Sequence, residues 1–109
     1  VTLAQLRKYA LSLPESTEEP HFERTSFRVR GRIFVTAKPD EPHAHVFVGE
    51  AQREPALNAH PEFIEKLPWG GKVVGLRIHL TPAPADVVKD LVKAAWEAKA
   101  PKALLGKTR

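Results

Sequence analysis

The chain contains no cysteine, which removes disulfides, thiolate nucleophiles and cysteine-based zinc sites together and leaves stability to side-chain packing. Long apolar runs are also missing: Ile33-Phe34-Val35 and the stretch from Ala44 to Val48 fall far short of the roughly 20 residues of a membrane helix. The first residues lack a secretory-signal pattern, so the expected location is cytoplasmic. Catalytic motifs are wanting as well. Ser12, Ser16 and Ser26 lie in no nucleophile-elbow context, and Gly70-Gly71 precedes a strand instead of the helix that a phosphate-cradling loop requires. The expectation is a non-enzymatic protein without a cofactor.

What is present suffices for one domain. The 109 residues, 42% of them hydrophobic, can bury a single core; the domain is taken as 1–109, with 106–109 frayed. Seventeen Lys+Arg against thirteen Asp+Glu give a formal charge of +4, which permits contact with a polyanion without demanding it.

Periodicity places the elements. Thr2 and Gln5 have the form of a capping box, and Leu3, Leu6, Ala10 and Leu13 recur at helical spacing up to Pro14, predicting a first helix over 3–13. The polar, proline-bounded stretch 15–20 reads as a loop. Residues 21–37 read as a β-hairpin turning at Arg30-Gly31, a register that sets Phe27 opposite Phe34 and Arg28 opposite Ile33. That register puts Ile33 and Val35 on the open face. After a proline-rich loop come a third strand over 44–48, a short second helix within 50–59 broken or begun near Pro55, and a brief strand over 63–67. The clearest strand is 72–80, where Val74, Leu76, Ile78 and Leu80 alternate with Val73, Gly75, Arg77 and His79. A last helix from Pro84 to about Ala100 buries Val88, Leu91, Val92, Ala95 and Trp96, and Leu104 and Leu105 of the tail dock on the core.

Several strings, in this order and spacing, resemble the MmcQ/YjbR family of small bacterial proteins: Leu6-Arg-Lys-Tyr-Ala-Leu-Ser-Leu-Pro14, the hairpin Phe27-Arg-Val-Arg-Gly-Arg-Ile-Phe34, Trp69 ahead of the strong strand, and the aromatic-bearing last helix before Ala100-Pro-Lys102. The resemblance implies an α+β, two-layer α-β(3)-α-β(2)-α fold with an antiparallel sheet of about five strands and helices mainly on one face. It also implies a "double wing" DNA-binding reading, without transferable site residues. Glu15 stands where glycine commonly follows the Leu-Pro pair.

The candidate nucleic-acid-binding set is Arg24, Arg28, Arg30 and Arg32 on the hairpin, joined by Lys72 and Arg77, because guanidinium groups on a protruding ribbon can meet phosphates. Arg28 is expected near Arg77 if their strands adjoin. The competing account is that such arginines keep an edge hairpin soluble. A protein partner or chaperone-like role on the open sheet face, with a homodimer as one form, is the alternative. Trp69 is expected to close the end of the sheet beneath the last helix. Lys89, Lys93, Lys99 and Lys102 read as a solvated face. His43 and His45 project to one side of a strand, but His21, His60 and His79 have no placement beside them, so no metal site is expected.

Overall fold

The computed structural model describes residues 1–105. Helix α1, Leu3–Leu11, starts from the expected capping box: Gln5 N donates to Thr2 Oγ1 at 3.1 Å, and Thr2 N donates to Gln5 Oε1 at 2.9 Å. It stops short of Leu13 because a residue before proline is driven out of the helical region. Ser12 closes it, its hydroxyl donating to Tyr9 O at 2.7 Å.

The sheet has six antiparallel strands in the order β1-β2-β3-β4-β6-β5, one more than expected. The additional strand is β1, Ser16–His21, in the stretch read as a loop. It pairs residue for residue with β2, Arg24–Val29. An edge strand needs only one ladder, and its charges and Pro20 are the devices that blunt an exposed edge, so it shows no apolar alternation. Its inner side is held by charge instead. Glu18, opposite Phe27, accepts from Arg7 Nε of α1 at 2.8 Å and from Thr25 Oγ1 at 2.6 Å, and the Arg7 bond holds its carboxyl below the usual range. Just before β1, Glu15 takes φ +55°, which explains why glycine suits that position.

Strands β2 and β3, Arg32–Ala37, form the expected hairpin. Arg30 and Gly31 have φ +51° and +80°, the signature of a two-residue type I′ turn. Arg28 does face Ile33, but a bulge then shifts the register so that Phe27 faces Val35, not Phe34. The inserted residue turns Phe34 and Val35 both inward, each fully buried. Val35 therefore belongs to the core, contrary to the expected open-face position, and only Ile33 stays on the other side.

Strand β4, His43–Val46, runs between β3 and β6, Lys72–His79; β5, Ile64–Trp69, forms the far edge. The expected alternation holds, with Leu76 and Ile78 fully buried. Helix α2, Glu50–Ala59, continues through Pro55 without breaking there. Arg53 anchors it, donating to Val48 O at 3.2 Å and Val73 O at 2.8 Å. Helix α3, Ala85–Lys99, buries the predicted stripe, and Trp96 Nε1 donates to Pro14 O at 3.1 Å. A final turn, α4, Lys102–Leu105, buries Leu104; the fraying expected at 106–109 lies outside the described residues. Helices α1, α3 and α2 lie in that order across one sheet face, over β1/β2, β3 and β5/β6. Among the described residues the other face carries no helix.

Gly75 marks a close backbone approach in the sheet: a Cβ there would lie 2.6 Å from Val46 O and 3.1 Å from Phe47 Cα. Gly75→Ala is expected to cost about 2 kcal/mol, as overpacking does in a sheet that cannot spread, read as a lower urea midpoint with an unchanged m-value.

Candidate functional site

Two hairpin tips project from the same end of the sheet. The β2–β3 turn is closed by the pair Val29–Arg32 and the β5–β6 turn by Trp69–Lys72. Both run through two residues of positive φ, Arg30-Gly31 and Gly70-Gly71. Arg32 and Lys72 stand on strands separated only by β4, which ends at Val46, level with Val35 and Leu76, so that both hairpins extend past it.

The six predicted cations divide between this end and the open face. Arg30, on the first tip, makes a two-point bond with Glu15, at 2.8 and 3.1 Å. Arg32 donates to Lys99 O, a last-turn carbonyl of α3, at 3.2 Å. Neither Arg32 nor Lys72 has a carboxylate within 4.0 Å among the described residues. Trp69 beside them is 79% exposed, contrary to its expected place beneath the last helix. Helix α3 packs mainly over β2, β3 and β4, and the outer β5–β6 ribbon packs against α2.

Arg24, Arg28 and Arg77 lie on the open face and are engaged there. Arg24 is ion-paired with Glu41 and donates to Thr36 Oγ1 at 3.0 Å. Arg28 donates to Ser26 Oγ at 2.9 Å and to Pro20 O at 3.3 Å, with Glu19 at 4.0 Å. Arg77 donates to Glu65 Oε1 at 3.0 Å. Strands β3 and β4 separate Arg28 from Arg77, so the two are not neighbours. Held by these bonds, Ser26 and Thr36 are buried although no helix covers them.

Between them runs a belt that the sequence reading did not assemble. Thr36 pairs with His45 and His45 with Arg77. His43 stacks on His45 at 5.5 Å and meets the His79 ring edge at 5.7 Å. The alternation of polar residues in β4 and β6 was visible, but their adjacency was not, because β5 follows β4 in the chain and β6 follows it in space. Burial, then the charges of Arg24, Arg77 and His43, lower the His45 pKa to about 4. Burial also lowers that of His43, against the pull of Glu41. Buried His45 Nε2 and Arg77 Nε have no hydrogen-bond partner. Among the described residues no group of three or more His, Asp or Glu side chains is placed to hold a metal ion.

The neutral His45 makes stability depend on pH with a definite sign. Its folded pKa lies below the ordinary 6.5, so its contribution is complete above pH 6.5 and is lost as pH falls towards 4. Urea midpoints measured across that window are expected to fall for the wild type. His45→Gln should flatten the slope near pH 5.5 by close to one proton taken up on unfolding.

Comparison with known proteins adds the relationship. No curated protein matches the chain. Among solved structures, the Deinococcus radiodurans protein DR2400, with domain DUF419, superposes with a TM-score of 0.77 at 20% identity. The match covers 97% of this chain and 86% of that one, and at that identity it shows a shared fold. The YjbR family model matches residues 11–98, from the end of α1 through the hairpins and nearly all of α3, and the chain therefore belongs to the YjbR family.

Proposed function

We propose that this YjbR protein is a non-enzymatic nucleic-acid-binding module of the bacterial cytoplasm that meets phosphates with its paired hairpin tips. One observation carries the reading: two tight turns project from one end of the sheet, one bearing Arg30 and Arg32 and the other Lys72 with an exposed Trp69. Arg32 and Lys72 need surrender no carboxylate to take a phosphate. Arg30 can exchange Glu15 for one, since an exposed ion pair is weakly held. A ring as open as Trp69 offers a stacking face to an unpaired base. Arg24, Arg28 and Arg77 serve this reading from behind, holding the sheet face by their bonds to Glu41, Ser26 and Glu65.

Fluorescence anisotropy with single-stranded and duplex DNA at two salt concentrations tests it. Affinity should fall steeply with salt, because each neutralised phosphate releases counterions. Arg30→Ala/Arg32→Ala/Lys72→Ala should lower the slope for single strands by about 2, at roughly 0.7 per phosphate. Trp69→Ala should weaken single-strand binding by about 1 to 3 kcal/mol with the slope kept. No binding at low salt sinks the reading.

A protein partner is the second reading, and Phe22 favours it. This side chain is 95% exposed at the β1–β2 turn and takes φ +58°, which a two-residue hairpin loop requires at its first position but which is costly for a bulky residue. On this reading Phe22 anchors a partner, a second copy being the simplest. Phe22→Asn relieves the backbone while removing the ring, so it should raise the melting temperature and abolish any concentration-dependent association seen by sedimentation. Association that survives the substitution excludes Phe22 as the anchor.

A further inference from the structure

Helices α1 and α3 leave between them a groove of about 570 Å3, lined by Lys8, Tyr9, Leu13, Lys89, Val92 and Lys93 among others, none of them acidic. Lys89 and Lys93 stand one helical turn apart, and Lys89 Nζ sits 4.6 Å from the centre of the Tyr9 ring. Among the described residues no carboxylate of α3 pairs with these lysines within 4.0 Å: Asp90 lines the opposite groove, towards α2, and Asp86 and Glu97 stand at the two ends of the cluster without closing an ion pair. The contrast with the arginines is sharp. Arg7, Arg24, Arg28, Arg30 and Arg77 each have a glutamate within 4.0 Å, whereas Lys8, Lys89 and Lys93 have no ion-pair partner among the described residues. Like charges gathered in one concavity repel one another, and an anion seated among them reverses the sign of that interaction.

The groove is also apolar where it is deep. Val92 is 1% exposed, and Tyr9 and Leu13 are half-buried against the core. Its volume falls within the range of small-molecule sites. We propose that this groove binds a small phosphorylated organic molecule, with Lys8, Lys89 and Lys93 on the phosphate and Tyr9, Leu13 and Val92 beneath the organic body. The site shares no residue with the hairpin tips, so it stands independently of the function proposed above.

Amide spectra of the full chain, titrated at low salt with ATP, with a hexose bisphosphate and with inorganic tripolyphosphate, test the proposal. At least one organic phosphate should shift the amides of Lys8, Tyr9, Lys89 and Lys93 and bind more tightly than tripolyphosphate; which one does so identifies the source of the phosphate. Lys89→Gln/Lys93→Gln removes two exposed charges without touching the core and should weaken that binding about tenfold or more, with the rest of the spectrum unchanged. The proposal is overturned if no probe shifts the groove, if shifts are confined to Arg30, Arg32 and Lys72, or if the double variant binds as before. Tripolyphosphate binding as tightly as both organic phosphates also overturns it, since the apolar floor would then contribute nothing.

Discussion

A six-stranded sheet whose described helices all lie on one side faces two different solvents, and that asymmetry governs the rest of the molecule. On the covered side, burial is met by packing: Phe27, Val35, Val46, Leu76 and Ile78 lie in one core with Trp96 and the apolar stripe of α3. Burying side chains of that size contributes about 1.5 to 3 kcal/mol each. On the other side, the described residues form no apolar lid, yet Ser26 and Thr36 are as inaccessible as core residues. Long arginines cover them, and each arginine is satisfied in turn by a glutamate or a carbonyl. The open face is thus closed by its own polar side chains, a solution that works only while every guanidinium keeps a partner.

The same asymmetry decides what could be read from sequence. Where one face is buried and the other wet, alternation reports it, and β6 and the stripe of α3 were legible. The capping box and the Arg30-Gly31 turn were legible because their chemistry is local. Strand β1 was not, because its partner on the helix side is Arg7 and not a hydrophobe, so charge occupies positions where alternation would be sought. The bulge was not legible either: it inserts Phe34 without any local marker such as glycine, and one inserted residue was enough to move Val35 from one face to the other. For the candidate site, the hairpin arginines and Lys72 were visible as residues. Their division into an engaged set and a projecting set depends on which glutamates the strand order brings near, and spacing does not encode that.

Charge distribution follows from these pairings and bears directly on function. A formal +4 spread evenly would give a weak, featureless field. Here the arginines of the open face are largely compensated, whereas Arg32 and Lys72 at the hairpin tips and Lys8, Lys89 and Lys93 along the α1–α3 groove are among the cations with no carboxylate within 4.0 Å among the described residues. Compensated guanidinium groups cost energy to recruit, because a departing carboxylate leaves its own desolvated partner behind; uncompensated ammonium groups lose only hydration. An anion approaching this protein therefore finds its most favourable positions where structure has no other use for the charge. The two places differ in shape, one a pair of convex tips beside an open indole and the other a concavity floored by Val92. Convex cationic tips suit a long polyanion that can run across them, and a floored groove suits a short one that can be enclosed. The two surfaces can accordingly serve different ligands on one small domain without competing for a single residue.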